Sequence, residues 1–321
     1  MVRASYMPKV TIIIPTYNRP HLLGRTVESA RAAGDDVEII LVDDASVDGT
    51  RRVCEELEGV RHIRLERNQG VAGARNVGIV ASSAPYIAFL DDDDLRLPGS
   101  LDLQVEALAA EPEAGFVCGG MLMAGQDRNP TGEAIMPNHP SGDLFWELLE
   151  LDFPVMPISV VMRKDCFFRV GLLDRRLGGI DDWDIFVRFA ELFPVVVMNE
   201  PVSIYRKPTP FSAQGSSARA RQLARAARHQ LKLLRLPRAL SAPRARRREA
   251  RRRALNRISD VLLRQAATQL PEGAFQSAGA NLFAAFRLNP FGAARPEALG
   301  KACRKLFSRR DEEGERRARP A

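Results

Sequence analysis

Tyr86-Ile87-Ala88-Phe89-Leu90 runs directly into Asp91-Asp92-Asp93-Asp94, and this junction decides how the rest of the chain reads. A five-residue apolar run bounded by polar chain is a short buried strand, so the strand delivers four carboxylates to its C-terminal end. Charges of one sign about 4 Å apart repel by roughly 1–4 kcal/mol per pair near a protein surface. A divalent cation or a ring of donors must offset that. Oxygen-only ligands point to Mg²⁺ or Mn²⁺, held through one or two carboxylates and completed by phosphates and water. The competing reading is a solvated acidic turn that caps the following helix.

On the N-terminal side the chain alternates strand and helix. Val10-Thr11-Ile12-Ile13-Ile14 is short, β-branched and stops at Pro15, the pattern of a strand buried on both faces. Pro20 suits a first helical position, and Leu22, Leu23, Val27 and Ala30 continue a helical stripe. Val37 to Val42 is a second strand ending at Asp43-Asp44, and Asp48-Gly49-Thr50 opens another helix. Ile63 to Leu65 is a third strand, Ala72 to Val80 a helix, Tyr86 to Leu90 a fourth strand and Leu101 to Ala110 a helix. This rhythm predicts a mostly parallel sheet covered by helices on both faces, with ligands gathered at the C-terminal strand ends. Thr16 to Arg19, Asp43-Asp44 and Asp91 to Asp94 all fall at those ends. Neither GxGxxG nor a P-loop pattern is present, so phosphates are not cradled in the dinucleotide or NTPase manner.

Composition narrows the class further. Of 321 residues 45% are hydrophobic, enough for a globular core. Cys54, Cys118, Cys166 and Cys303 form no CxxC pair, and the four histidines are isolated from one another, which argues against a zinc site or a disulfide framework. A cytoplasmic protein without a membrane span or secretory leader is expected. The net charge of +7 hides a division: residues 1–204 hold 19 Lys+Arg against 32 Asp+Glu, and residues 205–321 hold 28 against 8. With the Pro- and Ser-containing stretch between Tyr205 and Ser217, this predicts a first domain over 1–210, a basic helical region over 211–310 and a disordered tail over 311–321.

Five segments, in order, resemble the family 2 glycosyltransferases, inverting enzymes with the GT-A fold: VTIIIPTYNRPHLL, LVDDASVDGT, NQGVAGARNVGI, YIAFLDDDDLRLPGSL and VGLLDRRLGGIDDWDIFVRFA. The resemblance covers roughly residues 8 to 206. It implies a nucleotide site formed by Pro15, Thr16, Tyr17 and Arg19, with Asp43 accepting a hydrogen bond from the base and Arg75 near the base or pyrophosphate. For Arg75 the competing role is an intramolecular ion pair. Asn18 and Asp44 are expected to be structural, as a helix cap and a turn former. By the same resemblance Asp91 and Asp93 are the ends of a metal-binding DxD, Asp93 being the direct ligand, Asp92 lies nearer the ribose, and Asp94 is structural. Asp182 is the expected catalytic base. Asp181 stands where most relatives have Glu, and Trp183 is either a platform for an acceptor sugar or core. Some relatives carry a histidine after the Tyr-Arg pair; here Tyr205-Arg206-Lys207 leaves only Arg206 or Lys207 to clasp a diphosphate.

The implied function is metal-dependent transfer of a sugar from a nucleotide-diphosphate sugar, UDP favoured, to a glycan or lipid-linked acceptor of a cell-surface polysaccharide or glycoconjugate. The acceptor pocket is expected in loops such as 124–145. A nucleotidyltransferase or a non-catalytic nucleotide-binding scaffold are the alternatives. In the basic region Arg221, Arg225, Arg228, Lys232 and Arg235 share one helix face opposite Leu223, Ala227, Leu231 and Leu234. Such a helix packs its leucines or lies peripherally on an anionic membrane face. No aromatic stacking pattern accompanies the arginines, so nucleic acid is not an expected partner.

Overall fold

The computed structural model describes residues 7–153, 155–177, 179–207, 216–271 and 273–304, with side chains of 216–224 outside that set. The strands are β1 (Val10–Thr16), β2 (Val37–Asp43), β3 (Arg61–Arg64), β4 (Tyr86–Phe89), β5 (Leu95–Arg96), β6 (Phe116–Ala124), β7 (Pro130–Ile135), β8 (Val160–Arg163) and β9 (Val195–Arg206). The helices of the first unit are α1 (Pro20–Ala32), α2 (Thr50–Glu56), α3 (Gly70–Ala81), α4 (Ser100–Ala109), α5 (Phe145–Leu149), α6 (Phe167–Val170) and α7 (Asp181–Leu192). After them come α8 (Ser216–Leu233), α9 (Pro237–Ser241), α10 (Arg244–Gln269), α11 (Phe275–Leu288) and α12 (Pro290–Ala293).

Two compact units emerge: residues 1–148 with 153–207, and residues 149–152 with 208–321. In the first, one sheet runs β3-β2-β1-β4-β8-β6-β9-β5, with β7 alongside β6. From β3 to β4 all pairs are parallel, as the βαβ rhythm predicts. Beyond β4 the sheet is mixed, because β8 returns antiparallel between β4 and β6 while β9 runs parallel to β6. The stretch expected as an acceptor loop, 124–145, contains β7, whose residues are all exposed.

Why β1 lies at the centre follows from its composition. Ile12, Ile13 and Ile14 are fully buried, each such burial contributing roughly 1.5–3 kcal/mol. Ile12 and Ile14 pack in one cluster with Leu23 and Val27 of α1. On the opposite face α3 comes so close at Gly78 that an added methyl group would strike the Ile13 side chain. In-register pairing sets Thr16 beside Asp43, and Ile13 beside Phe89. Three polar strand ends therefore share one edge.

The second unit is helical. Ala254, Ile258, Leu262 and Ala266 form a buried stripe on α10, and Asn281 of α11 donates to Gln269 at 2.8 Å in its interior. On α8 Ala226, Ala227, Gln230 and Leu233 are buried while Arg225, Arg228 and Lys232 are exposed. Arg221 and Leu223 fall outside the described side chains, and the linker 208–215 and the tail 311–321 outside the described residues. Among the described residues, no helix is long and apolar enough to cross a membrane.

Candidate active site

The four aspartates do not act as one charge; each has a different partner. Asp91 accepts from Arg75 at 2.6 Å. Asp92 is buried, accepting from Thr16 at 2.8 Å and from Arg19 at 2.8 Å. Asp93 takes Arg19 at 3.2 Å and Arg206 at 2.7 Å on the same oxygen. Asp94 is buried and accepts the backbone N–H of Arg206 at 2.7 Å. Three arginines, Arg19, Arg75 and Arg206, thus offset the charge of the run. Burial raises Asp92 to about 6, Asp93 adding to the shift and Arg19 opposing it, and burial lifts Asp94 well above the usual carboxylate range. Asp94 therefore ties β5 to β9, a structural role.

Thr16 and Arg19 reach the aspartates because β1 ends beside β4. Tyr17 projects with 43% of its surface exposed, and Pro15 is the buried penultimate residue of β1. Asn18 does not cap α1. It adopts φ +55, its Oδ1 accepts from Val47 N–H at 2.9 Å and its N–H donates to Ser46 Oγ at 3.0 Å. The residue at the start of α1 is Arg19, with no side-chain cap; the Asn side chain serves the neighbouring loop instead.

Asp43 is fully buried, with Oδ1 accepting from Ser46 N–H at 2.8 Å and Oδ2 from Arg64. Arg64 is an exposed residue at the end of β3. Asp44 is more than a turn former: its two oxygens accept Gln69 N–H at 2.7 Å and Gly70 N–H at 2.8 Å, fastening the start of α3. Arg64 was not singled out from sequence. Its signal is register, since it pairs with Asp43 across the parallel β2–β3 ladder.

Arg75 carries the observation on which the site turns. Only 4% exposed, it bonds Asp91, lies 3.5 Å from Asp181, and stacks 5.0 Å from the Phe89 ring centroid. Arg75 thus makes the intramolecular ion pair weighed for it from sequence. Through it the end of β4 and the start of α7, ninety residues apart in sequence, form one cluster. Asp181 is buried, and its Oδ1 accepts Gly179 N–H at 3.1 Å. Asp182 is partly exposed, and burial first, then the Asp181 charge, pushes it up to about 7. Trp183 is partly exposed, unlike Ile185, Phe186 and Phe189, which form the core face of α7. Arg206, weighed from sequence only as a clasp, sits within this cluster, whereas Lys207 pairs with Glu133 at 2.8 Å.

As a cation site, the run has the donor chemistry of Mg²⁺ or Mn²⁺. The Asp91 and Asp93 side chains are 38% and 24% exposed, and each keeps one carboxylate oxygen outside its arginine bonds. Among the described residues, no three or more His, Cys, Asp or Glu are arranged so that they could hold a metal ion by themselves. Two carboxylates with substrate phosphates suit Mg²⁺, which rarely uses an all-protein cage.

A family model described as glycosyl transferase family 2 matches residues 11–171. The chain is 29% identical over 201 residues to an uncharacterized glycosyltransferase of Haemophilus influenzae, covering 60% of this chain and 67% of that one. It is 35% identical over 136 residues to the putative teichuronic acid biosynthesis glycosyltransferase TuaG of Bacillus subtilis, covering 41% and 54%. The alignment thus spans about two thirds of the first relative and about half of the second. Among solved structures, S. aureus TarS 1-349 in complex with UDP-GlcNAc aligns over 88% of this chain and 90% of that chain, with TM-score 0.52 and 14% identity. At that identity the likeness concerns the fold alone.

Proposed function

The chain belongs to glycosyl transferase family 2, and from this premise we propose that it transfers a sugar from a UDP-sugar, with inversion, to a hydroxyl of a glycan or lipid-linked acceptor in polysaccharide synthesis. The observation that carries the reading is the Arg75 bridge. It joins the acidic end of β4, suited to a diphosphate, to the segment holding a carboxylate whose raised pKa suits a general base. Asp182 takes the proton of the acceptor hydroxyl as that oxygen bonds the anomeric carbon. The bond to the nucleoside diphosphate breaks on the opposite face, so configuration inverts. Arg19 and Arg206 turn from Asp92 and Asp93 towards the departing diphosphate, where negative charge develops. Asp91 and Asp93 would hold a divalent ion, which supplies further neutralisation of that leaving group. Thr16, Tyr17 and Asp43 line the nucleoside, with Asp92 towards the ribose and Trp183 towards the acceptor.

The strongly basic second unit supports work beside an anionic membrane on its cytoplasmic face. TuaG is named for teichuronic acid biosynthesis and TarS was solved with UDP-GlcNAc, which makes UDP-sugars and cell-envelope polymers the first reagents to try. Thermal shift against UDP, GDP, dTDP and their sugars, with Mn²⁺ or with EDTA, tests the donor half. UDP with Mn²⁺ should raise the melting temperature, and EDTA should abolish the rise. Indifference to every nucleotide diphosphate under both conditions would refute the proposal.

A further inference from the structure

The second unit contains a cleft of about 400 Å³ lined by Leu234, Leu240 and five arginines: Arg235, Arg244, Arg247, Arg248 and Arg251. Four of these arginines lie on α10 at spacings of three, one and three, a single stripe over its first turns. Like charges at such spacings repel along a helix. The stripe also occupies the N-terminal end, where the helix dipole already disfavours cations, and the first turn holds no acidic residue to compensate. Some arginines elsewhere in this unit are paired, Arg246 and Arg253 with Glu150, Arg257 with Asp152 and Arg295 with Asp260. None of the five cleft arginines forms an ion pair or side-chain hydrogen bond with the described residues. The Arg247 Nε, moreover, is buried without a hydrogen-bond partner.

An anion seated in the cleft would relieve all of these costs together. The apolar part of the lining specifies the rest of the ligand, for Leu240 is 52% exposed beside the arginines. A free phosphate gains nothing from leucines, whereas a phosphate carried on an acyl or prenyl chain does. We propose that this cleft binds the phosphate headgroup of an anionic lipid, with Leu234 and Leu240 against the first carbons of its chain. The proposal rests on the reading of a membrane-proximal enzyme and gives that reading an address.

The test uses the full chain, with R247Q/R248Q/R251Q and L240S as variants and circular dichroism to establish that both fold. One arm measures the thermal shift with monomeric short-chain phosphatidic acid, against inorganic pyrophosphate and a single-stranded oligonucleotide. The other measures sedimentation with phosphatidylglycerol vesicles, against phosphatidylcholine, at low salt. The wild type should be stabilised by the lipid phosphate more than by pyrophosphate. The triple variant should lose about a hundredfold in vesicle affinity, at about fivefold per basic residue near headgroups, and L240S should lose the preference for lipid over pyrophosphate. Equal vesicle binding by wild type and triple variant would overturn the cleft while leaving membrane association intact. No binding of wild type to vesicles, with the short-chain shift retained, would overturn the membrane reading instead. Stabilisation by pyrophosphate alone, or tighter binding of the oligonucleotide, would overturn the lipid assignment.

Discussion

Asp182 shows how position sets chemistry at the level of one side chain. An aspartate normally near 3.8 is a poor proton acceptor, but burial and the adjacent Asp181 raise it to about 7. The base works only when ionised, so transfer should be lost as pH falls through about 7 and reach a plateau above it, measured as kcat/KM. Asp182→Asn should reduce turnover by about 10²–10⁴-fold with UDP binding retained in calorimetry. Arg75 opposes the upward shift. Arg75→Met should therefore move the rising limb to higher pH, and should destabilise the fold by about 3 kcal/mol in urea unfolding, because Asp181 is left buried without its cation. Much at this scale was legible: Thr16, Arg19 and Asp91 to Asp93 could be named because parallel strands end on a common edge, and Asp181-Asp182, at the start of α7, through the resemblance to family 2 glycosyltransferases. The pairings were not. Asn18 serves Val47 and Ser46, and Asp44 serves Gln69 and Gly70; such partners depend on how loops fold over one another, which no local pattern encodes.

Helix α3 is held between two constraints that belong to the element as a whole. At its start Asp44, from the end of β2, receives two backbone N–H groups; in its last turn Gly78 lies against Ile13 of β1. Asp44→Ala should cost about 2 kcal/mol, the value of hydrogen bonds to a buried charged acceptor. Gly78→Ala should cost about 1–3 kcal/mol by forcing the helix off the sheet. Both are read from denaturant midpoints, and because Arg75 rides on the same helix, both should also lower kcat. The elements that sequence reveals best are those with unbroken apolar pattern: β1, β2 and β4, and the helices between them. Strands β6 to β9 were missed. β6 carries Gly119-Gly120 at its centre, β7 is exposed throughout, β8 is only four residues long, and β9 opens on the apolar run Val195 to Met198 but is then interrupted by Asn199, Glu200 and Pro201, which blurs the pattern by which strands are recognised.

Across the whole molecule, charge and chain path do not divide at one place. The basic excess begins after residue 204, yet Leu149–Asp152 belongs with the later residues. Within that short segment Glu150 is 2% exposed and bonds both Arg246 and Arg253. Glu150→Gln should lower the stability of the helical unit by about 2–3 kcal/mol, visible as an earlier thermal transition, because two guanidinium groups lose their shared carboxylate. The positive sum in the second half was plain from composition; the return of four residues to it was not, since LELD carries no mark of where it will settle. A transplant that joined some other helical tail after Lys207 would leave the Leu149–Asp152 tongue without its arginines. A graft of this helical unit therefore has to carry two separated stretches of chain, 149–152 and 208–321, rather than one.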